Sequence, residues 1–346
     1  MGKDNYTRLQ FVKETAMAGI GIGLLPALPS FDYRKKINVQ AGKRIGIIGL
    51  DTSHSTEFTK QINTTTNKDE FLGYRVVAAY PNGSRDIKSS VERIPQFTQE
   101  IKVYGVEVVD SLDLLFSKSD VILLETNDGR LHLEQATEVI RKRKPLFIDK
   151  PIAVPYKDVV AIYNLANENS VPVFSSSSTR FIRGTQEIAS GKIGQMIGTD
   201  TYSPAILEKT NPDLYWYGIH GIELLFTVMG VGCEKVTRYH SIDSELVVGI
   251  WNDGRIGTFR GSRFGQNDYD GIVFGEKGNE ILGPLDGYKR LLLAITRFFE
   301  TGISSVKQEE TLEIYAFMTI AEISKKRNGR PVQLSHIQNN HKLKVR

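Results

Sequence analysis

The feature that most constrains this chain is an alternation, running from Lys43 to about Ser178, of short apolar runs with longer amphipathic stretches. RIGIIGL (44–50) reads as a buried strand, followed by the turn and cap residues DTSHS and a helical stretch to about Asn63. YRVVAAY is a second strand, ended by the turn PNGS. VEVVDS, VILLET and KPLFID follow as strands, with DLLFSKS and LHLEQATEVIRKRK between them as helices. Beyond Pro151 one more such unit follows, VVAIYNLANENS as a helix and VPVFSSSS as a strand. Strands alternating with helices predict a parallel sheet with right-handed crossovers, a doubly wound α/β domain of the Rossmann kind.

From about Gly198 the pattern changes. Candidate strands are now joined by glycine-containing turns such as NDGR and EKGN, the mark of a large, mostly antiparallel sheet. HGIELLFTVMG interrupts it as a helix, and YKRLLLAITRFFETG and TLEIYAFMTIAEISKKRNG form two late helices. The sequence therefore divides into a nucleotide-binding domain over 41–172, an α+β domain over 173–335 and a basic tail over 336–346.

A single cysteine, Cys233, excludes an internal disulfide framework and any multi-cysteine metal site. The net charge of +4 is concentrated at the front, where six basic residues face three acidic ones over positions 1–40. The remainder, close to neutral, has no footprint for nucleic acid or an anionic membrane surface. Residues 1–40 read as an export signal and linker. A positive stretch with Arg8 and Lys13 leads into AMAGIGIGLLPAL, too short for a ~20-residue membrane span. TRLQFVK resembles a twin-arginine motif in which the second arginine is Leu9. A periplasmic location is expected, with a cytoplasmic one as the alternative.

The strand-turn-helix beginning at Arg44, the FIDKP segment after the fifth strand, a histidine-bearing helix in the second half and a final RNGRPVQL together resemble the glucose-fructose oxidoreductase and inositol dehydrogenase superfamily (Gfo/Idh/MocA). That resemblance implies a first domain that binds NAD or NADP and a second, open-sheet domain that often mediates oligomerisation. The substrate would lie in the cleft between them.

A dinucleotide-binding turn of this type is G-x-G-x-x-G, so that bare amides and a helix N-terminus can approach pyrophosphate. Here the loop is Gly49, Leu50, Asp51, Thr52, Ser53, His54, and only the first glycine is kept. A carboxylate of Asp51 meeting phosphate at ~4 Å would cost about 4 kcal/mol at an effective dielectric near 20. The alternative is that Asp51, Thr52 or Ser53 caps the helix. The second strand lacks the carboxylate that grips an NAD ribose; Ser84 and Arg85 either meet the 2′-phosphate of NADP or form a solvated turn.

FIDKP resembles the family's E-K-P motif, with Asp149 in place of glutamate. The resemblance puts Lys150 at the substrate hydroxyl and the nicotinamide edge, against a structural pairing with Asp149. The family's D-x-x-x-H has its histidine at His220, a general base in that reading, while Trp216 stands at the aspartate position. Tyr215, Trp216 and Tyr217 are expected to form an aromatic wall suited to a sugar ring. Glu223, one turn on, either orients His220 or faces solvent. In the loop ETNDGRLH, Thr126, Asn127 and His132 are candidate cofactor contacts, as are Asp149 and Lys150 of FIDKP, and Glu125, Asp128 and Arg130 are candidate cleft lining. Asp51, His54 and this cluster have no ligand spacing that specifies a metal, and none is expected. Arg180 is either a substrate contact or a structural ion pair.

The expectation is an NAD(P)-dependent oxidoreductase acting on a hydroxyl of a sugar, glycoside or cyclitol, or using the cofactor for transient oxidation during elimination or hydrolysis. Lys150 and His220 are its catalytic pair, and Lys150, Arg180, Trp216, Tyr217 and His220 its substrate contacts. A homo-oligomer is expected. The rival is a sugar-binding or regulatory protein that has kept the fold and lost the cofactor.

Overall fold

The computed structural model describes residues 42–67, 69–265 and 268–338. The export segment read in 1–40 and residues 339–346 of the basic tail lie outside them. Six strands, β1 (Arg44–Ile48), β2 (Arg75–Tyr80), β3 (Glu107–Val108), β4 (Val121–Leu124), β5 (Leu146–Ile148) and β6 (Val173–Ser175), make an all-parallel sheet in the order β3-β2-β1-β4-β5-β6. Connections leave β1 in one direction and β4 in the other, so a crevice opens beyond the ends of these two strands. Both faces are buried, which is why the strands read as unbroken apolar runs. Ile45, Ile47, Val121, Leu123 and Phe147 face one layer and Ile48, Ile122, Leu124 and Ile148 the other.

The helix α1 (Ser53–Thr64) follows β1. Between β2 and β3 lie α2 (Lys88–Val91) and α3 (Ile94–Val103), which the sequence reading did not pick out. The crossovers continue with α4 (Leu112–Lys118), α5 (His132–Arg141) and α6 (Tyr156–Asn169). Because β6 pairs with β5, Phe147 opposite Phe174, the first sheet runs past the expected boundary at residue 172. After β6 a 3₁₀ turn (Ser178–Phe181) and α7 (Arg183–Ala189) lead to the second sheet.

That sheet has seven strands, in the order β12-β11-β7-β10-β9-β8-β13. They are β7 (Met196–Pro204), β8 (Cys233–His240), β9 (Ser244–Trp251), β10 (Ile256–Ser262), β11 (Asp270–Gly275), β12 (Gly278–Ile281) and β13 (Val332–Gln333). It is antiparallel except for the parallel pair β7 and β10. Helix α8 (Ile219–Met229), entered through a π-helical turn (Leu214–Gly218), covers one face, with Leu225 and Met229 over Gly257. Of the two late helices, α9 (Lys289–Thr301) returns to the first sheet. Its stripe Leu291, Leu292, Ile295, Phe298 and Phe299 packs with Phe58, Ile62 and Phe174. Helix α10 (Gln308–Lys326) ties the halves together, the Tyr315 hydroxyl accepting from the amide of Ile152 at 2.6 Å.

Candidate active site

A cleft of about 350 Å³ opens at the crevice beyond β1 and β4. Thr52 and Ser53 at the start of α1, Ser89 and Arg93 from the β2–β3 connection and Asn127 after β4 line one end. His54, which packs on Tyr288, lines the other with Lys150, Ser178, Trp216, Tyr217, His220, Tyr269 and Tyr288. The volume and mixed lining suit a small polar ligand.

The turn after β1 is tight because Gly49 has φ +92°, and any Cβ there would meet the Thr126 backbone at 2.5 Å. Leu50 points into the core. Asp51 does not face the cleft: its carboxylate is fully buried and accepts from Ser84 N (2.7 Å), Ser84 Oγ (2.5 Å) and Asn127 N (3.1 Å). A Cβ on Gly83 would strike that carboxylate at 2.4 Å, so the β2 turn is closed around it. Burial pushes Asp51 up, against the three hydrogen bonds. The carboxylate expected to oppose phosphate is thus turned into a staple joining the loops after β1, β2 and β4. Capping of α1 falls to Thr52, whose hydroxyl accepts from His54 N at 3.4 Å.

This arrangement corrects the reading of Ser84, whose amide and hydroxyl are both committed to Asp51. Arg85 is exposed beside Glu134. It also takes the Asp51 carboxylate away from the first turn of α1, which faces the cleft, leaves Glu208 as the carboxylate among the lining residues, and adds a cation, Arg93, that the sequence reading missed. These residues fit a dinucleotide's pyrophosphate: helix N-terminal amides near Thr52 and Ser53, hydroxyls and an exposed guanidinium.

At the other end, Lys150 is 9% exposed and its backbone amide donates to Asp149 Oδ1 at 2.8 Å. Asp149 Oδ2 lies 2.7 Å from His54 Nδ1. His54 and Lys150 beside it hold the Asp149 carboxyl far below the usual range despite burial. His220, on α8, has Nδ1 2.7 Å from Ser177 Oγ. Thr179 Oγ1 donates to the His220 carbonyl (2.8 Å) and lies 2.9 Å from Ser177 Oγ. With the Thr179 proton committed, Ser177 donates to Thr179 and accepts Nδ1–H, an assignment that leaves Nε2 as the lone-pair nitrogen. Burial, with Lys150 and His54 nearby, pushes His220 well below its ordinary range, so the ring is neutral at neutral pH. Tyr269 stacks edge-on at 5.2 Å.

Several expected contacts fall elsewhere. His132 is fully buried, its ring nitrogens 2.6 Å from the Thr126 carbonyl and 3.2 Å from that of Ile152, so it clamps the β4 loop and does not reach the cleft. Thr126 and Asp149 are likewise buried behind the lining. Arg180 pairs with Glu223 (3.4 Å) and Glu310, the structural alternative, and Glu223 therefore neither orients His220 nor faces solvent. Tyr215 is core, bonded to Thr319 at 2.7 Å, leaving Trp216 and Tyr217 as the aromatic wall. Arg130 is held by Asp128 and Asp86. Ser177, Tyr269, Tyr288, Ser89 and Arg93 were missed. Only the serine run gave a signal, four hydroxyls at the end of a buried strand.

Comparison with known proteins agrees with this geometry. The family model of the Gfo/Idh/MocA oxidoreductases, NAD-binding Rossmann fold, matches residues 43–177. An uncharacterized oxidoreductase of Streptococcus pneumoniae serotype 4 is 28% identical over 150 residues, covering 38% of this chain and 41% of that protein. A probable dehydrogenase from Thermotoga maritima superposes with a TM-score of 0.70 at 18% identity, over 85% of this chain and 99% of the other. A myo-inositol dehydrogenase from Corynebacterium glutamicum gives 0.67 at 16%, over 84% and 98%. The scyllo-inositol dehydrogenase from Lactobacillus casei, solved with NAD(H) and scyllo-inositol, also gives 0.67 at 16%, over 84% and 99%. The structural likeness extends the shared fold across both domains, and the Rossmann domain of this chain, residues 43–177, is similar to the Gfo/Idh/MocA oxidoreductase family.

Proposed function

We propose that this chain oxidises a hydroxyl group of a sugar, glycoside or cyclitol with NAD or NADP as the hydride acceptor. The observation that carries the reading is His220, a neutral imidazole fixed through Nδ1 by Ser177, sharing one cleft with Lys150 and an aromatic wall. His220 Nε2 takes the hydroxyl proton as the carbon–hydrogen bond is broken. Lys150 brings a positive charge to the oxygen as it becomes a carbonyl, and Trp216 and Tyr217 flank the ring. Thr52, Ser53, Asn127, Ser89 and Arg93 hold the dinucleotide, which supplies the site for hydride when bound. The same acid–base pair also serves an elimination next to the oxidised carbon.

A homo-oligomer is the second part of this reading. Ile250, Ile256, Ile272 and Ile281 lie on the face of the second sheet away from α8 and are all exposed, an apolar stripe suited to a partner copy. Export of the chain rests on the sequence of residues 1–40.

The test is a panel of sugars, glycosides and inositols followed by nicotinamide absorbance, with His220→Asn in parallel. Turnover of a polyol by the wild type that His220→Asn loses supports the proposal. A panel without turnover, by protein that binds the dinucleotide, refutes the substrate class.

A further inference from the structure

Behind the cleft lining, three side chains from neighbouring strand ends converge. His54 comes from the first turn of α1, Glu125 from the end of β4 and Asp149 from the end of β5. One ligating atom from each lies within 4.8 Å of the other two, and all three residues are buried. Glu125 is the unusual member: it is 0% exposed, and neither carboxylate oxygen has a hydrogen-bond partner. A buried carboxyl without a hydrogen-bond donor is among the costliest arrangements a fold can contain, and such groups are characteristically paired or bound to metal. Its charged surroundings are Asp149, Lys150 and Asp51, two of them acidic.

We propose that His54, Glu125 and Asp149 form a binding site for a divalent metal ion at the floor of the cleft. One imidazole nitrogen with two carboxylate oxygens suits Mn²⁺ or Zn²⁺ better than Ca²⁺ or Mg²⁺, which favour all-oxygen shells. The 2.7 Å between His54 Nδ1 and Asp149 Oδ2 is near the ~3 Å separating adjacent ligands around an ion at ~2.1 Å, so replacing the shared proton by metal needs little movement there. Glu125 then closes in from its side. The imidazole plane is already set, stacked on Phe58 at 5.0 Å and edge-on to Tyr288 at 4.8 Å. His54 and Lys150 both line the cleft, so the remaining coordination positions face it, where hydroxyl oxygens of a polyol can enter. The sequence reading weighed a metal at His54 and Glu125 and set it aside for want of a ligand spacing; Asp149 was not in that set, because the ligands stand 71 and 24 residues apart and meet only at the switch point of the sheet. The inference rests on these three residues and holds whether or not a dinucleotide occupies the other end of the cleft.

The test uses tag-free, full-length protein stripped with chelator and titrated with MnCl₂, free ion being read by electron paramagnetic resonance, with ZnCl₂ as competitor. One Mn²⁺ bound per chain, displaced by Zn²⁺ and weakened at least tenfold in Glu125→Gln, is expected. Added Mn²⁺ should raise the melting temperature of the wild type and leave that of Glu125→Gln unmoved. Absence of stoichiometric binding of either ion, or equal binding by wild type and Glu125→Gln, overturns the proposal and leaves Glu125 as a carboxyl held neutral by burial. If Glu125→Gln fails to fold, the same titration of Asp149→Asn decides in the same way.

Discussion

Replacing Asp51 by alanine removes an acceptor on which three loops close. Two backbone amides, Ser84 N in a buried turn and Asn127 N at the half-buried edge of the cleft, and the Ser84 hydroxyl lose their partner. Each buried donor left unpaired costs about 1–3 kcal/mol, and the hydroxyl can turn elsewhere, so the two amides set the scale at roughly 2–6 kcal/mol. The unfavourable burial of the carboxylate itself offsets part of this, and a net loss of about 2–4 kcal/mol is expected. For a domain of this size the melting temperature should fall by about 5–15 °C. The assay is reversible urea unfolding or a thermal melt of Asp51→Ala beside Asp51→Asn, which keeps one acceptor oxygen and should lie between. Because the carboxylate faces away from the cleft, neither variant should gain the two to three decades of dinucleotide affinity that relief of a phosphate clash would bring. An Asp51→Ala protein that melts with the wild type, or binds NAD a hundredfold tighter, would refute the staple.

Other consequences concern the acid–base centre and its supports. Substituting His220 by asparagine should lower kcat/KM by about 10²–10⁴ with the fold intact, as loss of a general base does. Ser177→Ala should act through His220: a smaller fall, mostly in kcat, with a displaced acid limb in the pH–rate profile, whereas a merely structural role would leave that limb in place. Burial pushes the Glu223 carboxyl up to about 7, outweighing its 3.4 Å contact with Arg180, which is shared with Glu310. The native state then binds more protons than the unfolded chain between about pH 4.3 and pH 7, so this group's contribution is fully present below that window and is lost as pH rises through it, by up to ~1.4 kcal/mol per unit. Glu223→Gln should flatten the stability curve between pH 5 and 7; an unchanged slope would contradict the raised carboxyl.

The alternation of apolar runs made the first sheet legible because parallel strands buried on both faces have a distinctive texture, and β1 to β6 all stand where the runs stand. VPVFSSSS was read as a strand but left outside the 41–172 domain, and its pairing with β5 puts it in the first sheet. The return of α9 to the first sheet could not be read locally: its stripe fits any apolar layer, and only topology chooses. Lys150, His220, Trp216 and Tyr217 were legible through their motifs. Arg93, Tyr269 and Tyr288, which line the cleft, and Ser177, buried behind His220, were not, because each comes from a loop or helix end whose placement depends on long-range packing. Asp51 shows the limit most clearly. Its residue type and position implied a conflict with phosphate, and what resolves it is a hydrogen bond to a turn 33 residues away.

The most direct test of the account is calorimetric titration of NAD, NADH, NADP and NADPH into the full-length protein. With Asp51 turned inward and the start of α1, Asn127 and Arg93 lining the cleft, at least one of the four should bind in the micromolar range, about −8 kcal/mol, and Arg93→Ala should weaken it. Failure of all four to bind a folded protein at millimolar concentration would contradict the oxidoreductase reading.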